Sequence, residues 1–149
     1  MNPKKDMFLS GCQVLVNPVN CVGAIGRGLA VQFRTKFPTM AKHYTEDCKR
    51  YKLYKPGDCI MYNENGTIIA NLATENHYRY GAKKEYIAKS LENLRSHMEQ
   101  AGYTSVAIPR IGCGLGGLDW NEIRPLILEK LANAPFEIWL DGDRIPAHK

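Results

Sequence analysis

Twice in this chain a short β-branched run breaks into clustered glycines and then resumes with helical spacing. In the first case residues 13–19 (QVLVNPV) lead to Gly23, Gly26 and Gly28, after which Leu29, Phe33 and Phe37 recur every four residues up to Pro38. In the second, residues 105–109 (SVAIP) lead to a glycine-rich loop over 112–118 (GCGLGGL), and Asp119 with Glu122 forms a capping box opening a helix through Leu131. A strand, a glycine loop and a helix make a βα unit, so the chain is expected to be α/β with a mixed, mostly parallel sheet. Glycine lets backbone N–H groups turn inward and approach a phosphate, and the following helix N-terminus adds partial positive charge. One such loop also serves as a plain tight turn, whereas two at the carboxyl ends of strands suggest a diphosphate clamp.

The intervening segments complete the pattern. Residues 40–53 are charged, tyrosine-bearing and either helical or irregular; Pro56-Gly57 then turns the chain into strands over 59–62 and 67–72, with Asn65-Gly66 as the hairpin turn between them. Ile87, Leu91, Leu94 and Met98 predict a helix over 83–101 closed by Gly102, and residues 136–140 form a last strand. Helices are expected on both faces of the sheet. At 149 residues and 44% hydrophobic content the chain is expected to form a single domain over 1–149, with residues 1–5 and the polar tail 142–149 loose.

Composition narrows the function classes. No apolar stretch is long enough to span a bilayer, and residues 1–5 are polar and basic without an apolar signal core, so a cytoplasmic protein without membrane contact is expected. The five cysteines are scattered without zinc-site spacing, which predicts free thiols, no metal and no cofactor. A net charge of +5 suits a polyanionic partner, nucleic acid or a pyrophosphate ligand, although solubility alone accounts for as much. A monomer is expected.

The first loop is not a Walker A loop, since no Gly-Lys-Ser/Thr follows, and the spacing of its glycines is not the dinucleotide fingerprint. Asn17 and Asn20 end the first strand with amides suited either to ribose hydroxyls or to the turn itself. VLVNPVNCVGAIGRGLAVQF, together with IPRIGCGLGGLDW farther on, resembles the macrodomain family, in particular the branch of the DarG antitoxin and terminal ADP-ribose protein glycohydrolase. The resemblance covers nearly the whole chain from Asp6 onward. It implies a mixed sheet flanked by helices, ADP-ribose as ligand, and removal of ADP-ribose from nucleic acid. It also assigns Asp6 to the adenine amino group and Asn20 to the distal ribose. Gly26, Arg27 and Gly28 become the first phosphate loop, and Ile111, Gly112, Cys113, Gly114, Leu115, Gly116 and Gly117 the second. The family carries a strand before the aspartate; only five residues precede Asp6, so an N-terminal edge strand is expected to be absent.

The chain departs from that branch where the branch keeps a lysine acting on the ribose C1″. Residues 73–79 read ATENHYR, so Thr74, His77 and Arg79 fall on the pattern and Glu75 takes the lysine position. Gly116 stands, as a glycine does in the DarG branch, where terminal ADP-ribose protein glycohydrolase has an aspartate. A carboxylate cannot form a Schiff base, but it can activate water or stabilise an oxocarbenium-like centre. Glu75, with His77 beside it, is therefore a candidate catalytic residue; the alternative is an exposed charge on a protein that only binds ADP-ribose. Lys83 and Lys84 supply an amine or simply a solvated helix start. A phosphatase of ADP-ribose 1″-phosphate is a further alternative. Cys21 and Cys113 have no adjacent base in sequence and are not proposed as nucleophiles; Trp120 is expected in the core.

Overall fold

The computed structural model describes residues 5–149. Residues 1–4, part of the start expected to be loose, lie outside the described residues. The chain runs β1 (Val14–Asn20), α1 (Leu29–Lys36), α2 (Pro38–Lys49), β2 (Cys59–Glu64), β3 (Thr67–Glu75), α3 (Lys84–Ala101), β4 (Ser105–Ile108), α4 (Trp120–Lys130), β5 (Glu137–Leu140) and β6 (Asp143–Ile145). The sheet order is β2-β3-β1-β4-β5-β6. The four inner strands β3, β1, β4 and β5 are parallel, and antiparallel β2 and β6 close the edges. Parallel strands need long crossovers, supplied here by α3, which carries the chain from β3 past β1 to β4, and by α4 between the neighbours β4 and β5.

Alternation along the central strand divides the core. Val14 and Val16 pack with Ile87, Leu91, Leu94 and Met98 of α3 and with Ile123 and Ile127 of α4. Leu15 and Val19 point the other way, into a cluster with Phe33 of α1 and with Met40, Tyr44 and Cys48 of α2. Helices thus cover both faces, as the apolar spacing predicts. Among the described residues no helix is long and apolar enough to cross a membrane.

Three expectations need correction. The polar tail is not loose at its start: Asp141 (φ 49°) and Gly142 (φ 97°) form a two-residue turn with both central residues at positive φ, and β6 folds back on β5. Polarity alone is a poor guide here, because the Asp-Gly pair is itself a hairpin signal. The pairing also covers β5, which would otherwise be an open edge. At α4 the capping box is half made: Asp119 accepts from the backbone N–H of Asn121 at 2.9 Å, but Glu122 offers its backbone N–H to the Asp119 carbonyl and no side-chain bond in return. Trp120 is partly buried at the rim of the core, with the Arg110 guanidinium 5.5 Å from its ring centre. Before β1, the described residues form a 3₁₀ turn, Met7–Leu9, capped by the Asp6 carboxylate on the Phe8 N–H.

A long-range cap fixes the start of α2, which begins with Pro38 after Phe37, a residue that cannot cap. Glu64, at the end of the edge strand β2, supplies the missing carboxylate and accepts from the N–H groups of Met40 at 2.7 Å and Thr39 at 3.4 Å. Glu64→Ala should therefore lower stability by about 1–2 kcal/mol. Urea unfolding checks it, and an unchanged midpoint would mean that water replaces the cap without loss.

Candidate functional site

The site is built on a slip in the pairing of β1 with β3. The register runs evenly from Val14 opposite Ile68 to Val19 opposite Ala73, and then Asn20 stands opposite Glu75. Thr74 is the extra residue on β3, buried, with its carbonyl accepting the N–H of Lys83. A bulge of this kind re-aims the side chains beyond it. Strict alternation would send Asn20 to the face opposite Val19, yet its amide bonds to Tyr44, which lies in the same layer as Val19. Asn20 and Glu75 thereby end up as neighbours at the carboxyl ends of two parallel strands, where open α/β sheets hold ligands.

Asn20 organises the first loop from within. Its Oδ1 accepts from the N–H groups of Val22 and Ala24, both at 3.1 Å, and its Nδ2 donates to the Ala24 carbonyl at 3.0 Å. The Tyr44 hydroxyl closes the cluster, 2.8 Å from the Asn20 carbonyl and 3.0 Å from Oδ1. Asn20 is thus a staple for the loop with one amide N–H left over. The turn role expected for Asn20 is made. Below it, Asn17 donates to Asn71 at 3.0 Å and Asn71 to Tyr54 at 3.1 Å; the Tyr54 and Tyr62 hydroxyls lie 2.7 Å apart, and Tyr62 donates to Asp47 at 2.8 Å. Asn17 Oδ1, at the near end of this chain, is buried with no protein partner among the described residues.

A strap formed by the segment after β3 crosses both glycine loops. The Asn76 carbonyl accepts from Cys21 N in the first loop, and the Gly116 carbonyl of the second loop accepts from Ala82 N at 3.1 Å. Between strap and loops opens a cleft of about 420 Å³, lined by Asn17, Asn20, Gly26 and Arg27, by Arg34 of α1 and Tyr44 of α2, by Glu75 at the end of β3, by Tyr78 of the strap, and by Leu115 of the second loop. Of the residues selected from sequence, Asn17, Asn20, Gly26, Arg27, Glu75 and Leu115 meet here. Asp6, Gly28, His77, Ile111, Gly112, Cys113, Gly114, Gly116 and Gly117 do not line the cleft itself. Asp6 caps its turn, and His77 stacks on Tyr78 with ring centres 4.2 Å apart while its Nδ1 accepts the Arg79 N–H. Sequence reasoning missed Tyr44, Arg34 and Tyr78. The spacing of Met40, Ala41, Tyr44 and Cys48 was the signal for a buried helix face carrying a tyrosine whose hydroxyl must find a partner.

The glycines sort into two kinds. A side chain on Gly112 would meet Ile87 at 2.9 Å, one on Gly116 would meet the Gly112 carbonyl at 2.6 Å, and one on Gly81 would meet the Gly116 carbonyl at 2.9 Å. These are close-packing positions that fold the second loop on itself and against the strap. A Cβ on Gly26 or Gly114 would meet nothing within 4 Å, and neither residue has a left-handed φ, so both tolerate a side chain in the protein itself.

Partial burial acts on Glu75 and on the nearby thiols in the same direction. Burial raises the half-buried Glu75 carboxyl above the usual carboxylate range. Burial pushes the Cys21 thiol up to about 11, and Cys113 is also raised, so neither is a ready thiolate. Among the described residues no group of acidic, His or Cys side chains is arranged to hold a metal.

With this geometry in place, the sequence profile of the Macro domain family matches residues 16–127, and the chain belongs to that family. It is 33% identical over 133 residues to a DNA ADP-ribosyl glycohydrolase of Thermus aquaticus, an alignment covering 86% of this chain and 37% of the relative. The chain thus spans little more than a third of that relative's length. Its fold matches the macrodomain of Mycobacterium tuberculosis DarG with a TM-score of 0.85 at 30% identity, covering 91% of each chain. It also matches Thermosipho africanus DarTG in complex with ADP-ribose, with a TM-score of 0.82 at 29% identity, covering 95% of this chain and 41% of that one.

The glycine sorting makes a direct test. Gly114→Val should fold with near wild-type stability and lose affinity for ADP-ribose. Gly116→Val should lose stability outright, by about 1–3 kcal/mol or more, since its Cβ has no room. Thermal unfolding and calorimetry of both variants separate the two; a folded Gly114→Val with full affinity would put the ligand elsewhere.

Proposed function

We propose that this chain binds ADP-ribose in the cleft between the two glycine loops and hydrolyses the bond joining it to nucleic acid. What carries the reading is the pairing of Asn20 with Glu75 at one edge of the cleft: an amide with a spare N–H beside a half-buried carboxylate. In this reading the first loop, with Arg27 and the α1 N-terminus, receives the diphosphate, and Leu115 and Gly114 cover it from the second loop. Asn20 holds a hydroxyl of the distal ribose, which brings C1″ toward Glu75. Relatives named as DNA ADP-ribosyl glycohydrolases and a similar structure holding ADP-ribose support the choice of ligand and reaction.

Glu75 then takes a proton from water as the water oxygen bonds to C1″. The bond from C1″ to the acceptor breaks, its electron pair leaves with the acceptor atom, and that atom is protonated from solvent. The carboxylate also faces the positive charge that grows on C1″ as the bond lengthens. Glu75 must be ionised for both roles, and burial raises its pKa, so the rate should fall as pH drops through a value above the ordinary carboxylate range.

The experiment follows release of ADP-ribose from an ADP-ribosylated oligonucleotide. Glu75→Gln should keep ADP-ribose affinity and lose at least about a hundredfold in turnover, together with the acid limb of the pH profile. Wild-type protein that binds ADP-ribose without releasing it would make the chain a reader.

A further inference from the structure

We propose that the exposed aromatic turn at the mouth of the cleft, His77 with Tyr78 and Tyr80, is a stacking platform for the bases of a single-stranded nucleic acid on either side of the modified nucleotide. The proposal rests on the reading of the cleft as an ADP-ribose site and adds the surface that holds the rest of the substrate.

Tyr80 is 75% exposed and Tyr78 52%, although both rings are large enough to fill a core. They are also held in place. His77 lies 4.2 Å from the Tyr78 ring centre and 5.6 Å from that of Tyr80, and its Nδ1 is tied to the Arg79 N–H at 3.1 Å. The turn beneath them is fastened to the first loop through Asn76, to the second through Ala82, and to β3 through Lys83. Rings ordered in advance lose little entropy when a base stacks on them.

Charge identifies the occupant. Residues 76–84 contain Arg79, Lys83 and Lys84 and no carboxylate. Among the described residues none of these forms an ion pair, and neither do Arg27 and Arg34 of the cleft lining. Arg79, Lys83 and Lys84 lie outside the cleft lining, so an ADP-ribose held within does not need them. A phosphodiester backbone leaving the cleft would. Exposed ring faces interleaved with unpaired cations are the means by which single strands are held without reading their sequence. A duplex fits poorly, because its bases are already stacked and its modified nucleotide must leave the stack to bring C1″ down to Glu75. A folded protein partner would call for a broad surface of about 800 Å², not one narrow turn.

The test uses Tyr80→Ala, a residue outside the cleft. In fluorescence anisotropy at low salt, an unmodified single-stranded oligodeoxynucleotide should bind wild type more tightly than its duplex does, and Tyr80→Ala should weaken binding by about tenfold. With the ADP-ribosylated strand as substrate, KM should rise comparably at unchanged kcat, while calorimetric affinity for free ADP-ribose stays the same. Equal binding by wild type and Tyr80→Ala, or equal binding of duplex and strand, overturns the platform. So does an ADP-ribosylated peptide whose turnover depends on Tyr80 to the same extent, which would assign the surface to protein. Failure of wild type to bind ADP-ribose would remove the reading of the cleft, and the oligonucleotide titration would still decide the platform by itself.

Discussion

One extra residue in β3 governs the mouth of this sheet. Had the pairing with β1 stayed even, Asn20 would face Thr74, and Glu75 would stand one step beyond the site. The slip instead sets Asn20 beside Glu75 and turns its amide toward α2, where the Tyr44 hydroxyl fixes it. From that contact the first loop takes its shape, since Val22 and Ala24 fold back onto Asn20. The strap that follows Glu75 then reaches both loops through backbone hydrogen bonds at Asn76 and Ala82. A buried amide with its hydrogen-bonding capacity nearly used up is costly to disturb, and that rigidity keeps the cleft open before any ligand arrives.

Much of the fold was legible because its signals are local. The spacing of Ile87, Leu91, Leu94 and Met98 gave α3, Gly102 marks its end at φ 70°, and Asn65-Gly66 gave the β2–β3 hairpin. The mixed, mostly parallel sheet followed from the two βα units. Within the site, the two glycine loops and Glu75 were likewise visible as sequence. What sequence could not carry was long-range. The Glu64 cap joins residues far apart in the chain, the bulge depends on the pairing of two strands, and the role of Tyr44 appears only once α2 packs on β1. Likewise, a run of glycines does not disclose that Gly116 is confined by backbone while Gly114 faces open space.

Glu75 sits at the end of a parallel strand, half-buried, with Arg27 and Arg34 lining the same cleft. Partial burial raises its proton affinity, and it likewise raises the partly buried thiols of Cys21 and Cys113, which disfavours their thiolates. In the proposed reading the two arginines would receive the diphosphate and the carboxylate would face the positive charge that develops on the ribose.

In the proposed reading both loops and Asn20 together form a site for a diphosphate and its distal ribose. Isothermal titration of the wild-type chain with ADP-ribose and, separately, with AMP probes that site, because AMP lacks the parts those groups would hold. ADP-ribose should bind in a single saturable event and far more tightly than AMP. Equal affinities for the two ligands would mean that the loops and Asn20 form no such site.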